Sequence, residues 1–323
     1  MIIIKPAIIK EDSMEYTICG DLHCKPDNLD KVQKLFMLLE SLGLPVIMLG
    51  DTLDTKELIR GQCMNLLYRL LKDSKLHWYF IIGNHCWFNL HCQQHSLEVL
   101  KSLENVTIID KPTEVENVTM MPFYSDYNVL PHWINNAKGE YLIAHLDVKG
   151  FNYGNGIQSN EGLELADLSK FKKVISGHYH EFQQNGNLLY LGTPFSHSFG
   201  ESNQDKYLAK FNSENGNIEL IKTDFPRHVT VELDLNNPVK LNLDHYDHNR
   251  IIIKGTREQL DAFDSKPYEG FKIIQECVTN LANSALKETQ SHEEIYEKWY
   301  KDVKKETDPL LFNLGLKILR EVK

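Results

Sequence analysis

Apolar and polar positions along the first part of the chain predict strands and helices in turn. Short buried strands are predicted at 16–20, 45–50 and 77–83, where apolar runs end in or near glycine. Between them, 28–42 and 56–73 predict amphipathic helices, because their apolar residues recur at helical spacing. Alternating strands and helices of this kind are typical of a layered α/β domain.

The later part of the chain predicts a mixed sheet followed by a second, smaller domain. Further strands are predicted at 106–110, 117–122, 140–144, 172–176, 187–191, 206–212 and 217–222. Turn signals such as Asn185-Gly186-Asn187 favour mixed or antiparallel pairing in this half. A strand–strand–helix–strand pattern then follows over 229–277. We therefore expect a core domain over 1–225, a small α/β domain over 226–280 and a C-terminal helical segment over 281–323.

The amino-acid composition mainly excludes certain classes of protein. Of 323 residues, 42% are hydrophobic and 25% charged, which is the balance of a soluble globular protein. No apolar run approaches the ~20 residues of a membrane helix, and the start lacks a secretion signal, so we expect a cytoplasmic protein without membrane attachment. The six cysteines form no C-x-x-C pair, which indicates a reducing compartment. The net charge of −10 argues against a uniformly basic nucleic-acid binder, but it leaves room for local basic patches.

Five short polar motifs stand directly after predicted strands. They are Asp21-Leu22-His23, Gly50-Asp51-Thr52-Leu53-Asp54, Gly83-Asn84-His85, Ala144-His145 and Gly177-His178-Tyr179-His180. An open α/β sheet places its ligand crevice at such strand ends. The i,i+2 spacing in the first and last motifs directs both side chains of each pair to one side of an extended segment. Histidines that only satisfy core hydrogen bonds would not end apolar runs so repeatedly, so the pattern favours a functional site.

The residue types in these motifs indicate a metal centre. Carboxylates, imidazoles and an amide oxygen form a mixed set of oxygen and nitrogen ligands, which suits Mn²⁺, Fe²⁺ or Zn²⁺ better than Ca²⁺ or a cysteine-rich structural zinc. The candidate ligands outnumber what one metal needs if water is also to bind. Two metals that share a bridging carboxylate are therefore expected.

The ordered motifs resemble the calcineurin-like metallophosphoesterase superfamily over about residues 16–211. The resemblance implies two divalent cations, with Mn²⁺ preferred and Mg²⁺, Fe²⁺ or Zn²⁺ as alternatives. It also implies that His85 is the catalytic histidine, which would stabilise the transition state or protonate the leaving oxygen. The two implied ligand sets share one carboxylate: Asp21, His23, Asp51 and His180 for one metal, and Asp51, Asn84, His145 and His178 for the other.

The segment after the last motif narrows this resemblance. Tyr190-Leu191-Gly192-Thr193-Pro194 and Phe199-Gly200-Glu201 are similar to the YxGSP…FxE stretch of SbcD-type double-strand-break repair nucleases. The resemblance implies a DNA exo- and endonuclease that works with an SbcC-type coiled-coil ATPase, and the compact length fits a bacteriophage version. The small domain would cap the nuclease, and the leucine-rich C-terminus would grip the ATPase. A homodimer is compatible with the same resemblance.

Two other functions are compatible with the same residues. A calcineurin-like phosphatase or phosphodiesterase acting on protein, nucleotide or a small molecule would use the same metals. A scaffold without catalysis is disfavoured, because it has no reason to keep costly clustered polar groups. Cys86 and Asp54 depart from the family pattern, in which an acidic residue and a histidine are usual at these positions. His197 is a candidate for touching phosphate, with a solvated loop histidine as the alternative.

Overall fold

The computed structural model describes most of the chain. The described residues are 7–9, 15–56, 58–89, 93–154, 156–239, 241, 247–278, 296, 297, 299, 300 and 309–321. Strands and helices are numbered below in chain order.

One sheet combines parallel strands with an antiparallel edge. From one edge to the other it contains β15 (Ile218–Lys222), β14 (Tyr207–Asn212), β2 (Glu15–Cys19), β3 (Val46–Met48), β4 (Trp78–Ile81) and β5 (Val106–Ile109). The strands β2 to β5 run parallel, and β14 joins β2 in the antiparallel direction. Parallel neighbours bring their carboxyl ends to one edge of the sheet, which is where ligands bind in α/β folds.

A second sheet packs against the first. Its order is β1 (Ala7–Ile9), β6 (Thr113–Val115), β7 (Val118–Met121), β8 (Tyr141–His145), β11 (Lys173–Gly177), β13 (Leu188–Tyr190) and β12 (Gln183–Asn185). The strands β7, β8, β11 and β13 are parallel. A separate hairpin consists of β9 (Asn152–Gly154) and β10 (Ile157–Gln158).

The two-residue period of the strands divides the apolar side chains between layers. Ile47 and Tyr79 belong to the core between the two sheets, whereas their neighbours Met48 and Phe80 pack with helices α1 (Leu29–Leu42) and α2 (Gly61–Asp73). Helix α3 (Leu130–Asn136) packs on the far side of the second sheet. The result is a helix–sheet–sheet–helix arrangement, which confirms the predicted α/β fold with a layered mixed sheet.

Some elements differ from the sequence prediction. The helix predicted over 56–73 begins at Gly61, because Leu58 and Ile59 are exposed and offer no apolar face to the sheet. The helix α3 and the strand β6 were not predicted, since seven and three residues are too few to display a clear hydrophobic period.

The chain divides into two compact units. The larger consists of Met1–Val231, Lys240–Ile251 and Gly270–Ile273, and the smaller of Glu232–Val239, Ile252–Glu269 and Ile274–Lys323. A three-stranded sheet is formed by β16 (His228–Asp234), β17 (His248–Gly255) and β18 (Lys272–Cys277), and each of these strands begins in the larger unit and ends in the smaller. Helix α4 (Arg257–Asp261) lies between the last two strands in the chain. The domain boundaries predicted at 225 and 280 stay predictions.

Most of the predicted C-terminal segment 281–323 lies outside the described residues. The part that is described includes helix α5 (Pro309–Glu321), which begins where the Asp308-Pro309 pair predicts a helix start. Within the described part of the chain, every helix is too short or too polar to span a bilayer.

Candidate metal centre and active site

The polar motifs all lie at the carboxyl ends of parallel strands. Asp21 and His23 follow β2, Asp51 follows β3, and Asn84 follows β4. From the second sheet, His145 ends β8, and the pair at 178 and 180 follows β11. The facing strand ends of the two sheets therefore bring together the seven predicted metal ligands and His85, which follows Asn84.

The backbone around these residues is closely packed and strained. A side chain at Gly50, which has φ of +128°, would overlap the imidazole of His145. His23, Asp51 and His178 adopt φ of 42°, 40° and 94°, in the left-handed region that side chains other than glycine rarely occupy. Such strain persists only where surrounding structure imposes it, and it concentrates at functional sites.

The first ligand group consists of Asp21, His23 and His180. Ligand atoms of these three side chains all lie within 4.8 Å of one another, and the Nε2 atoms of the two histidines are 3.0 Å apart. One oxygen of Asp21 accepts a hydrogen bond from the backbone N–H of His178 at 2.8 Å. Its other oxygen is buried and has no hydrogen-bond partner among the described residues. An unpaired buried carboxylate oxygen beside two imidazoles fits a bound cation.

The second ligand group forms around Asp51 and His145. The Nε2 atom of His145 is 3.5 Å from a carboxylate oxygen of Asp51 and 2.9 Å from the side-chain oxygen of Asn84. The Nδ1 atom of His178 is 3.0 Å from that same amide oxygen. Asp21 belongs to this group as well as to the first, and the Asp51 oxygen also lies 4.0 Å from Nε2 of His23, so both carboxylates lie between the histidines of the two groups.

Protonation states in the site also fit metal binding. Burial lowers the pKa of His145 to about 3 and that of His178 to about 4, so both imidazoles are neutral and offer lone pairs. The Nδ1 atom of His145 donates to the carbonyl oxygen of Leu49 at 2.9 Å, which leaves Nε2 as the free ligand atom. Burial and the nearby charge of Asp51 raise the pKa of Asp21 to about 8. A divalent cation would relieve the repulsion between these carboxylates, so the residues present fit such an ion.

His85 lies at the edge of the same site. Its backbone N–H donates to Asp51 at 2.8 Å, and its Nδ1 donates to the carbonyl oxygen of Asp54 at 2.7 Å. Its ring is 5.1 Å from that of His23, measured between centroids, and it borders an open cavity of about 400 Å³. His85 belongs to neither ligand group, so its free Nε2 is available to a substrate in that cavity.

Residues 14–182 match the model of the calcineurin-like phosphoesterase family. The chain belongs to the calcineurin-like phosphoesterase family. It is therefore a metal-dependent hydrolase, and the family's use of divalent metals agrees with the two ligand groups.

Individual relatives span most of the chain. Exonuclease subunit 1 of Enterobacteria phage T4 is 26% identical over 283 residues, which cover 81% of this chain and 82% of that protein. The putative phosphoesterase 244L of Invertebrate iridescent virus 6 is 29% identical over 280 residues, covering 78% and 98%. A solved archaeal phosphodiesterase has 15% identity and a TM-score of 0.38, and its likeness covers 65% of this chain and all of that one.

A buried ion pair behind the phosphoesterase site supports one predicted ligand. Glu201 contacts Nδ1 of His180 at 3.1 Å and Nζ of Lys206 at 2.7 Å. Lys206 also donates to the carbonyl oxygen of His180 at 2.9 Å, and Thr193 donates to Glu201 at 2.8 Å. Burial alone would lower the pKa of His180, but its hydrogen bond to Glu201 and the charge of Asp21 raise it. Sequence reasoning missed this supporting role, because a resemblance at 199–201 does not reveal which ligand Glu201 contacts.

Replacing Glu201 by glutamine is expected to weaken metal binding and to destabilise the fold. Loss of a carboxylate behind a histidine ligand typically costs about 10- to 100-fold in metal affinity. Lys206, only 3% exposed, would lose its counter-charge, which costs about 3–5 kcal/mol. Calorimetric titration with Mn²⁺ and thermal unfolding measure both effects. In the double variant Glu201→Gln/Lys206→Met, stability should return while metal affinity stays low; recovery of both would show that Glu201 acts only through folding.

The two departures from the family pattern have different surroundings. Cys86 is fully buried in the core beneath the helices, and burial with the nearby charge of Asp51 raises the pKa of its thiol to about 12. It therefore serves packing and takes no part in acid–base chemistry. Asp54 borders the cavity, with its carboxylate 3.8 Å from Nδ1 of His23 and its carbonyl oxygen bound by His85. Asp54 thus orients the two histidines on either side of it.

Proposed function

We propose that this chain is a dimetal-dependent DNA exo/endonuclease, the nuclease subunit of a recombination and repair complex that contains an SbcC-type ATPase. The proposal assigns one cation to Asp21, His23, Asp51 and His180, and the other to Asp51, Asn84, His145 and His178, with Mn²⁺ as the best-fitting ion. The similarity to exonuclease subunit 1 of phage T4 supports a nuclease, since it extends over about four fifths of both chains.

The proposed chemistry divides between cations and side chains. Bound cations would neutralise phosphoryl oxygens and activate the attacking water. The protein's own part is to hold the ligands rigidly and to place His85 beside the reacting phosphate. Since Nδ1 of His85 donates to the Asp54 carbonyl, Nε2 is the atom left for the substrate. In the ring form that carries protons on both nitrogens, Nε2 would give its proton to the leaving oxygen and keep the Nδ1 hydrogen bond.

A cluster of cations beside the cavity is the observation that carries the preference for a polymeric substrate. The ring of Phe199 contacts the guanidinium of Arg250 at 4.7 Å, the ammonium of Lys272 at 5.4 Å and the ring of His228 at 4.8 Å from its centroid. The backbone of this segment also borders the metal-site cavity through Ser198 and Gly200. We call Lys31, Arg250 and Lys272, which lie near His228 and His248, the cation cluster.

The cation cluster affects the pKa of the histidines beside it. Burial, together with the nearby charges of His248 and Lys31, lowers the pKa of His228 to about 4. Within the described residues, Lys31, Arg250 and Lys272 form no ion pair with a carboxylate. Cations grouped at one surface of a chain of net charge −10 form a local basic patch, which a phosphodiester backbone would neutralise. A phosphatase for small molecules has no use for such a surface.

Neutralising the cation cluster should weaken DNA binding without affecting the chemistry. For the variant Lys31→Gln/Arg250→Gln/Lys272→Gln we expect a higher KM for DNA. Because three phosphate contacts are lost, the slope of log DNA affinity against log salt concentration should become shallower by about 2 to 3. Hydrolysis of bis(p-nitrophenyl) phosphate, which is too small to reach the cluster, should be unchanged. The charge-matched control carries glutamine at exposed lysines elsewhere, at Lys72, Lys75 and Lys173. Equal DNA affinity of the two triple variants would contradict the proposed role of the cluster.

Digestion of end-labelled DNA tests the proposed function itself. Duplex and single-stranded substrates are incubated with Mn²⁺, Mg²⁺ or EDTA, and the products are separated by length. We expect cleavage with Mn²⁺ and none with EDTA. If the protein hydrolyses phosphate monoesters or small diesters but no DNA under any metal condition, the alternative phosphatase or phosphodiesterase function is correct.

Helix α5 supports the proposed ATPase partner. Phe312 packs against Tyr296 and Tyr300, with ring centroids 5.7 Å and 5.2 Å away, whereas Leu311 and Leu314 are 52% and 55% exposed. One side of the helix is thus bound to its own chain, while leucines remain exposed for a groove-docking contact with a coiled-coil partner.

Changes to α5 are expected to break the complex and to leave the nuclease intact. Truncation after Thr307 should retain metal binding and basal nuclease activity but lose co-purification with the ATPase. Leu311→Glu/Leu314→Glu keeps the packed aromatic side and should give the same result, which separates docking from folding. Co-purification of the double variant at wild-type yield would show that α5 is not the main tether.

A further inference from the structure

His197 lies within the proposed active site but belongs to neither ligand group. Its side chain borders the same cavity as His23 and His85. Its ring centroid is 5.4 Å from that of His23 and 6.0 Å from that of His180. The Nε2 atom is buried and has no hydrogen-bond partner among the described residues. A buried polar atom without a partner among those residues fits one that a bound group supplies.

The distances separate His197 from the metal ligands. Metal-ligating atoms of Asp21, His23 and His180 lie within 4.8 Å of one another, and neither ring nitrogen of His197 joins that group. The imidazole therefore lies next to two residues proposed as ligands of one metal, His23 and His180. The ring of His23 contacts two imidazoles that belong to neither ligand group. The centroid of the His85 ring is 5.1 Å away, and that of the His197 ring is 5.4 Å away.

The surrounding loop holds His197 in this position. Phe195 is buried and packs against the imidazole at 4.9 Å, and the hydroxyl of Ser196 lies 2.6 Å from Nδ1 of His228. The hydroxyl of Thr223 donates to the carbonyl oxygen of Pro194 at 2.7 Å. The loop is therefore anchored to the core, which rules out a freely solvated histidine.

We propose that His197 is a second catalytic histidine, whose ring N–H donates a hydrogen bond to a non-bridging oxygen of the phosphoester being hydrolysed. This role rests on the proposed metal-dependent hydrolysis at this site, and it applies to any phosphodiester that enters it. His85 and His197 would then contact the substrate from different sides, the first at the leaving oxygen and the second at an oxygen that gains charge in the transition state.

The test compares His197→Phe, which keeps the packing against Phe195, with His197→Gln, which keeps an N–H donor. For His197→Phe we expect kcat for bis(p-nitrophenyl) phosphate to fall about 10- to 100-fold, as for loss of one transition-state donor. His197→Gln should recover part of that loss. Both variants should bind two equivalents of Mn²⁺, and calorimetry should show weaker binding of thymidine 5′-monophosphate to the Mn²⁺-loaded Phe variant than to the wild type.

Three results would overturn the proposal. Full turnover in His197→Phe would mean that the ring does not contact the substrate. Loss of one metal equivalent would make His197 a ligand. Equal turnover and equal monophosphate affinity in the Phe and Gln variants would leave only a packing role. Since the substrate is a small diester, these outcomes are independent of DNA: a wild-type enzyme that hydrolyses it but not DNA would refute the proposed nuclease and still test His197.

Discussion

Asp51→Asn is expected to release both cations and to reduce turnover by at least about 10³-fold, since bound metals contribute several kcal/mol to transition-state stabilisation. Asp51 is the carboxylate proposed as a ligand of both cations, and one of its oxygens lies 3.5 Å from Nε2 of His145 and 4.0 Å from Nε2 of His23. Asparagine preserves the shape and can still accept the hydrogen bond from the backbone of His85. The variant therefore removes the charge and leaves the fold intact.

Elemental analysis after dialysis against Mn²⁺ provides the measurement for Asp51→Asn. We expect about two equivalents for the wild type and fewer than one for the variant. Burial raises the pKa of Asp51, so the charged side chain is unfavourable in the metal-free protein. The metal-free variant should accordingly be at least as heat-stable as the metal-free wild type. Asp73→Asn, an exposed change at the end of α2, serves as the control. Retention of one full equivalent by Asp51→Asn would show that the two sites do not share this ligand.

His85→Gln is expected to keep both cations and to lose most of the turnover. Its ring belongs to neither ligand group, and its Nδ1 is already bound to the Asp54 carbonyl. Loss of a positioned acid or base typically costs about 10²- to 10⁴-fold in kcat. The reduction should be smaller for substrates with a good leaving group, because protonation of the leaving oxygen then matters less.

Turnover of DNA and of bis(p-nitrophenyl) phosphate, measured beside metal content, tests this role of His85. His85→Ala should behave like the Gln variant, and His132→Gln, an exposed change on α3, should behave like the wild type. A His85 variant that contains only one metal equivalent would make His85 a ligand. If turnover of both substrates falls by the same factor, His85 does not act on the leaving group.

The strands that carry the site, and the position of the site at their ends, were predictable from the sequence because both depend on local pattern. Apolar runs that end in polar residues mark strand ends, and parallel strands bring those ends together. Asp21 and His178 are 157 positions apart in the chain, yet each was recognisable from its own motif.

What could not be predicted depends on contacts between distant segments. The pairing of Glu201 with Lys206 and His180 arises from the return of β14 to the site, and no spacing rule encodes it. The cation cluster likewise combines Lys31 with Arg250 and Lys272, which are more than 200 positions away. The net charge of the chain does not reveal this cluster, because it sums the acidic and basic residues of all surfaces. The sequence left open whether His197 touches phosphate or is a solvated loop residue, because its loop is anchored by Thr223, which is distant in the chain.

Anomalous diffraction from crystals soaked in Mn²⁺ tests the central claim, that seven side chains hold two cations, most directly. Data collected at the manganese absorption edge should show two peaks about 3.5–4 Å apart, the spacing of two-metal phosphoesterase sites. Both peaks should contact Asp51, with His180 beside one and His178 beside the other. A single peak, or two peaks that do not share Asp51, would contradict the account.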